Sequence, residues 1–468
     1  MVIKIALPKG RLLRKTAAVL QKAEWGLDEY QSSMSFYRPV SKKFPEALIR
    51  VFNEKDIPIQ IAMGNYDIGI CGLDWVEELL VKYPSSDVVK IRDLFYGHGT
   101  LYVAAVNTGQ DFHFNGVTVR IASEYPNIAE SFALKNRLSR FSIFPVWGAA
   151  EAYPPESAEL ALLTAANQAE IKNLGMKPVQ KVLEYSTYLI ANRQSWENKN
   201  LDSIVNSIFD SLVEIAGPGE KKDVKTDSIP KRLSFPATDK DTVRLALPDG
   251  HQQQQTIDLL NKAGIKLDGY PSQDGNRRPV MDIPGITVKV IRPQDMPLQV
   301  ANGNFDLAIT GRDWITDHLA QFPLSPVQEI LDLRLRKVRL VAVVHQDLPV
   351  KDTAGLSLYQ NNRQQPVRVA SEYVNIADKY ARENHLGYYK VIPTWGATEA
   401  FLPEDADLLI ENTETGRTIA LHKLKIIDTL FESTACLIGS ASGGSALKND
   451  RISAIVSRLK RVIGEAKS

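Results

Sequence analysis

With two cysteines in 468 residues, the chain has neither a disulfide scaffold nor a cysteine-built metal cluster. Both, Cys71 and Cys436, fall inside apolar strand-like runs and read as buried free thiols in a reducing cytoplasm. No apolar run approaches the roughly 20 residues that a membrane-spanning helix needs. The opening Met-Val-Ile-Lys-Ile-Ala-Leu-Pro reads as a first strand and lacks the length and flanks of a signal peptide. Excess charge is missing too. Lys and Arg number 56 against 55 Asp and Glu, a formal net charge of +1, which argues against wholesale binding of nucleic acid or an anionic membrane. A small anion held by a few local cations is not excluded. The seven histidines show no metal-ligand spacing. These absences point to a cytoplasmic globular protein.

What the chain does have is an internal repeat, the first thing to seek because missing it misreads the fold. Ala6-Leu-Pro-Lys-Gly10 returns as Ala246-Leu-Pro-Asp-Gly250, Arg38-Pro-Val40 as Arg278-Pro-Val280, and Asp56-Ile-Pro58 as Asp295-Met-Pro297. Gly64-Asn-Tyr-Asp67, Gly72 and Asp74-Trp75 return as Gly303-Asn-Phe-Asp306, Gly311 and Asp313-Trp314. Ala122-Ser-Glu-Tyr125 returns as Ala370-Ser-Glu-Tyr373, and Trp147-Gly-Ala-Ala-Glu151 as Trp395-Gly-Ala-Thr-Glu399. Order is kept and the offset moves only from 240 to 239 to 248, which a tandem duplication explains. Residues 1–218 form the first module and 242–468 the second. Between them, 219–241 is a polar, proline-marked linker.

Within each module, short apolar runs alternate with helical spacing. Ile3–Leu7 is a strand stopped by Pro8 and Gly10, and Leu13, Ala17, Leu20 and Ala23 lie on one helical face. Ile49–Phe52 is strand-like, Asp56 reads as a helix cap before Pro58, and Ile68–Cys71 is a strand ending in a glycine turn. Such alternation predicts an α/β fold with mostly parallel sheets flanked by helices, its ligands at the carboxyl ends of strands. Trp75, Trp147, Trp314 and Trp395 follow strands and read as core or cleft-wall packing. The basic run from Arg458 to Lys467 reads as a solvated amphipathic terminal helix.

The residues after one strand stand out. Leu408–Ile410 runs into Glu411-Asn412-Thr413-Glu414-Thr415-Gly416-Arg417-Thr418. Backbone N–H groups, three hydroxyls and Arg417 could converge there on a phosphate monoester, with Glu411 placed to accept from ribose hydroxyls. The other reading is an ordinary strand-to-helix turn. The aligned first-module stretch, Glu159 to Glu170, has lost the glycine, the arginine and all but one threonine, and Leu163 stands in place of Glu411. A turn needed only for folding would survive in both copies, so its loss from one favours a ligand role in the other.

Ala-Leu-Pro-Lys-Gly-Arg-Leu12, Asp56-Ile-Pro58, Asp67 to Asp74 and Thr-Glu-Thr-Gly-Arg-Thr418 together resemble ATP phosphoribosyltransferase, the first enzyme of histidine biosynthesis. The resemblance covers both modules. It implies two tandem bilobal modules similar to type II periplasmic binding proteins, with ATP and phosphoribosyl pyrophosphate in the cleft and Mg²⁺ carried on the substrate phosphates without dedicated protein ligands. It implies binding of phosphoribosyl pyrophosphate by Glu411–Thr418. Catalytic cations would be Arg292, Arg278, Lys9 and Arg11, and Arg38, Gly72, Asp74, Gly311, Asp313 and Glu399 would lie on the ATP side of the cleft. Lys9 and Arg11 occur only in the first module, opposite Asp249 and His251, whereas Arg292 stands opposite Asn53. Sites of the family form at a dimer interface, so the two modules are expected to pair within the chain and share one composite site, leaving open a further homo-oligomer or a separate regulatory subunit. Only about 28 residues follow Ser440, which leaves no room for the extra C-terminal domain of long-form members. A catalytically dead sensor of nucleotide or sugar phosphate is the alternative. A solute-binding protein is disfavoured by the lack of a signal peptide.

Overall fold

Apolar runs cut by Pro and Gly become strands, and the amphipathic stretches between them become helices, in the computed structural model, which describes residues 2–31, 37–106, 118–212, 241–271, 276–361, 365–440 and 445–465. The expected linker, Asp241 apart, lies outside the described residues. The chain forms two compact units. The first gathers Met1–Pro145, Glu159–Ser234 and Thr394–Phe401. The second gathers Val146–Ala158, Phe235–Pro393 and Leu402–Ser468. The units therefore depart from the repeat boundaries, because each includes a short stretch of the other repeat.

The first repeat supplies β1 (Lys4–Pro8), β2 (Leu48–Phe52), β3 (Ile68–Gly72), β4 (Val88–Asp93), β5 (Gly99–Val106), β6 (Val119–Ser123), β7 (Phe141–Pro145), β8 (Leu160–Ala165), β9 (Met176–Tyr185) and β10 (Thr187–Asn192). They make two five-stranded sheets, β2-β1-β3-β10-β4 and β7-β6-β8-β5-β9. The parallel pairings predicted from the alternation are present as β2-β1-β3 and β7-β6-β8. The remaining pairings are antiparallel, so each sheet is mixed, half as expected and half closed by long returning strands.

The second repeat supplies β11 (Val243–Pro248), a two-residue ribbon β12 (Leu267–Asp268) and β13 (Val280–Met281), β14 (Ile286–Ile291), β15 (Leu307–Gly311), β16 (Val327–His345), β17 (Val367–Ser371), β18 (Tyr389–Pro393), β19 (Leu408–Thr413) and β20 (Leu424–Ser440). Here β16 and β20 run unbroken, each spanning what is two strands in the first repeat, and one eight-stranded sheet results, β14-β11-β15-β20-β16-β19-β17-β18. The break between β4 and β5 survives in β16 only as register shifts between Asp332 and Val338.

Helices pack where their apolar faces predict. Leu13–Lys22 buries Leu13, Val19 and Leu20. Helix Ile57–Ala62 carries Pro58 in its first turn, but Asp56 makes no side-chain capping bond, unlike the expectation. Its counterpart Asp295 faces the stretch Val146–Ala158, accepting from the Trp147 N–H at 3.1 Å and from the Tyr153 hydroxyl at 3.3 Å. The terminal helix Ala446–Glu465 is amphipathic as read, with Ile455 and Leu459 buried in the core below it.

A carboxylate on one helix closes the start of another in both units. Glu78 accepts from the N–H groups of Asn127 and Ile128 at 2.9 Å each. Asp317 accepts from those of Asn375 and Ile376 at 3.0 and 2.9 Å. Two otherwise orphaned N–H groups are satisfied by each carboxylate. Replacing Asp317 by Ala should cost about 1–2 kcal/mol, the range for a lost helix cap, read as a lower urea midpoint with unchanged slope.

Candidate functional site

Parallel strands deliver the residues that follow them to one end of a sheet, where α/β proteins place ligands. In the second unit, the turns after β11, β14, β15 and β17 bring Asp249–Gln252, Arg292–Gln294, Gly311, Asp313, Trp314, Glu372 and Tyr373 around a cavity of about 200 Å³. Asn412 enters from β19, Arg336 and Val338 from β16, and Ser433–Ala435 from β20. Arg292, Gly311, Asp313 and Asn412, all expected site residues, thus meet in one place.

Asp313 is buried among hydroxyls. One carboxylate oxygen accepts from the Tyr373 hydroxyl at 2.7 Å and the other from Ser433 at 3.1 Å. Burial pushes its pKa up, against those hydrogen bonds. The Tyr373 hydroxyl in turn accepts from the Asn412 amide at 2.7 Å, so the end of β19 is tied to the cavity floor. No cation pairs with Asp313 among the described residues.

Asp249 stands where the first repeat has Lys9, and it organises two arginines. Arg277 donates to it at 2.6 Å, and the Arg292 guanidinium lies 3.5 Å away. Burial works against ionisation, but the Arg277 hydrogen bond and the charges of Arg277 and Arg292 hold the carboxyl below its usual range. Arg292 also lies against Gly148, where an added Cβ would come within 2.9 Å of its Nε. Trp147 packs edge-on against Trp314 at 5.7 Å, in line with the wall-packing expectation.

Arg278 is not a cavity residue. It donates to Glu156 at 3.0 Å and to the Pro154 carbonyl, and Lys289 pairs with the same glutamate at 2.6 Å. Arg278, expected as a catalytic cation, is thus placed in this ion-pair cluster and does not line the cavity. Its neighbour Arg277 instead bridges Glu151 and Asp249, the latter a cavity residue, and along an extended chain adjacent side chains point opposite ways.

The turn Glu411–Thr418 is partly organised. Gly416 adopts φ +76°, a conformation glycine takes without penalty, and its N–H donates to the buried Thr413 hydroxyl at 2.9 Å. The Arg417 N–H reaches Thr415 at 3.4 Å, and Glu411 accepts from the Asn412 N–H at 3.1 Å. Glu414, Thr415, Arg417 and Thr418 are exposed.

The same location in the first unit is filled from within. Arg11 donates through Nε to Glu54 at 3.0 Å, through Nη1 to the Tyr185 hydroxyl at 2.8 Å, and through Nη2 to Asp74 at 2.7 Å. Asp74 is buried and also accepts from Tyr125, as Asp313 does from Tyr373. An added Cβ on Gly72 would meet Asp74 at 2.2 Å and Arg11 at 2.6 Å. Lys55 and Glu124 close a further ion pair at 2.9 Å. Burial raises Glu54 to about 7, despite Arg11 beside it. The corresponding second-unit residues are His251 for Arg11, Pro293 for Glu54 and Ser433 for Tyr185, and they leave the space open. Arg11, expected as a cation lent to the second module, is held here as a counter-ion for Glu54 and Asp74 within the first unit. Lys9 lies 5.5 Å from the Tyr37 ring in the same unit. Arg38, half-buried, and Gly72 also belong to that unit, as does Glu399, while its counterpart Glu151 belongs to the second.

Sequence reasoning missed Arg277, Arg336, Tyr373 and Ser433. Tyr373 follows β17 and repeats Tyr125, a signal that was there to use, whereas Ser433 lies within a long strand where position does not single it out. Arg336 carried a signal: its counterpart in the first repeat is a glycine. Among the described residues, no group of three His, Cys, Asp or Glu side chains is arranged to hold a metal ion.

The ATP phosphoribosyltransferase (HisG) family model matches residues 53–213 and again residues 292–461. A curated ATP phosphoribosyltransferase of Chlorobaculum parvum is 33% identical over 216 residues, which are 45% of this chain and 68% of that protein. That of Chlorobium phaeovibrioides is 34% identical over 206 residues, 43% of this chain and 64% of the relative. The chain thus spans about two thirds of the relatives it matches. A solved chain described as the ATP phosphoribosyl transferase (HisG:HisZ) complex from Thermotoga maritima aligns over 48% of this chain and 100% of its own length, at 19% identity and a TM-score of 0.39.

Removing Arg11 should strand Glu54 and Asp74 without their counter-ion. Breaking a fully buried pair costs about 3–5 kcal/mol, and because the Arg11 side chain is 38% exposed, about 2–3 kcal/mol is expected for Arg11→Leu. The Glu54 share has a definite sign. Its folded pKa of about 7 lies above the unfolded value, and loss of Arg11 raises it further. Below pH 7 both proteins carry the proton in the folded state, so that share of the deficit appears only as pH rises above 7. Urea unfolding at pH 6 and pH 8.5 reads it; an equal deficit at both would rule out the Glu54 contribution.

Proposed function

Since the chain belongs to the ATP phosphoribosyltransferase family, matched once in each repeat, we propose that it joins ATP to phosphoribosyl pyrophosphate at a single site in the second unit. The observation that carries this reading is the contrast between the units. The cavity beside the retained Glu411–Thr418 turn is open, and its counterpart is packed with Arg11, Glu54 and Tyr185.

In this reaction a ring nitrogen of adenine attacks the anomeric carbon, a C–N bond forms, and the C–O bond to pyrophosphate breaks with its electron pair leaving on the pyrophosphate. No covalent enzyme intermediate is needed, so the protein contributes positioning and electrostatic stabilisation. The Glu411–Thr418 turn would hold the ribose 5-phosphate, with Glu411 accepting from ribose hydroxyls. Arg292, aimed by Asp249, would meet the charge developing on the pyrophosphate. Mg²⁺ would neutralise phosphate charge. Two of the cavity carboxylates are engaged within the protein, Asp249 by arginines and Asp313 by hydroxyls, which suits an ion held mainly by the phosphates.

A catalytically inactive sensor is the second reading, favoured by the loss of the Lys-Gly-Arg turn at Asp249 and His251. Mixing the protein with ATP, phosphoribosyl pyrophosphate and Mg²⁺ while following product absorbance separates the two. Turnover is expected, and Arg292→Ala should lower kcat by about a hundredfold. Calorimetry should count one phosphoribosyl pyrophosphate per chain; two equivalent sites would refute the single-site reading. No turnover, with and without candidate partner subunits, would favour the sensor.

A further inference from the structure

Asp93 and Asp332 begin the same turn in the two units. The Phe95 N–H donates to Asp93 at 2.7 Å, and the Arg334 N–H donates to Asp332 at 2.9 Å. Phe95 and Arg334 both have positive φ, +59° and +56°. Two residues further, the chain is left-handed again in both units, at Gly97 with φ +67° and at Arg336 with φ +47°. Glycine takes that conformation freely, whereas a long β-unbranched side chain is strained by its Cβ. The first unit thus has the residue that the backbone favours, and the second has an arginine that the backbone resists.

The location of Arg336 gives a reason for that cost. It lines the open cavity with Arg292 and Asn412. Among the described residues, no hydrogen bond or ion pair holds its guanidinium. Arg292, by contrast, is tied to Asp249. The second unit has also lost the cation of its first-strand turn, since Arg11 of the first unit corresponds to His251, which lines the same cavity. Strained non-glycine residues gather at ligand sites, where the gain in binding outweighs the strain.

We propose that Arg336 binds the diphosphate group of a bound substrate, supplying from β16 the positive charge that the turn after β11 no longer carries. This rests on the reading of the cavity as a phosphoribosyltransferase site and adds a binding residue to it. The planar fork of an arginine suits two oxygens of a diphosphate, and without a protein carboxylate on it the group is free to engage them. The diphosphate belongs either to phosphoribosyl pyrophosphate or to the ATP chain.

The test uses the full chain and two variants, Arg336→Gly and Arg336→Lys. Glycine is the residue of the first unit at this φ, so the fold is expected to survive, checked by circular dichroism and an undiminished Tm. Titration calorimetry with Mg²⁺ and inorganic pyrophosphate, phosphoribosyl pyrophosphate or ATP reads binding without catalysis. Arg336→Gly should weaken pyrophosphate and phosphoribosyl pyrophosphate roughly ten- to hundredfold, with Arg336→Lys between it and the parent. Weakening confined to ATP would support the same residue role and assign the diphosphate to ATP. Parent and Arg336→Gly binding all three ligands equally would overturn the assignment of Arg336 and leave the enzyme reading standing. A parent that binds none of the three would sink the enzyme reading, and this inference with it.

Discussion

A buried carboxylate at the start of a helix needs something to satisfy it, and both units face that demand at one position. Asp74 and Asp313 follow the glycine that ends β3 and β15, and each accepts from a tyrosine that follows a later strand, Tyr125 after β6 and Tyr373 after β17. The units differ in what completes the shell. In the first, Arg11 brings a formal charge, and Glu54 and Tyr185 gather round it. In the second, Ser433 and Tyr373 suffice, no cation approaches among the described residues, and space remains. A buried charge removed from water must be paired or hydrogen-bonded, and the two units meet that one requirement differently.

The stretch Val146–Ala158 extends this logic within the second unit. Asp295 accepts from Trp147 and Tyr153, Glu151 meets Arg277, and Glu156 meets Arg278 and Lys289. Burial and the charge of Lys289 act in opposite directions on Glu156, and the cations prevail, lowering it to about 2. Arg277 then spans Glu151 and Asp249, so this stretch is linked by one guanidinium to the carboxylate that aims Arg292. The arginines of this region are thus held by a set of mutual pairings, and which of the two adjacent arginines reaches Asp249 follows from side-chain direction.

Much of this was legible beforehand. The duplication, the strand–helix alternation and the turns that carry ligand residues all followed from matched short motifs, because each motif marks a backbone feature: a strand end, a glycine turn, a proline in a first helical turn. Arg292, Asp313 and Asn412, expected in the cleft, line one cavity because they sit just after or at the end of strands. That Arg277 and not Arg278 pairs with Asp249 was hidden, because matching Arg278 to Arg38 compares residue types, whereas side-chain direction depends on an extended backbone that matching does not reveal. The pairing of Arg11 was hidden because a basic residue after a strand looks the same whether it awaits a ligand or is taken up by Glu54, some forty residues away. The equal mix of parallel and antiparallel pairings was hidden in β9, β10 and β20, whose apolar alternation says nothing of strand direction.

The packed interior of the first unit has an evolutionary corollary. An open, charge-lined hollow is a standing weakness in a folded chain, tolerated because a reaction needs it, and stability and activity trade against each other at such places. A single-copy protein cannot escape that trade. In a duplicated one, on the single-site proposal, the copy without substrate can keep its charges paired internally, as Arg11, Glu54 and Tyr185 are, while the other accepts strain of the kind found at Arg336. Selection for robustness and selection for chemistry can in this way act on different halves of one polypeptide.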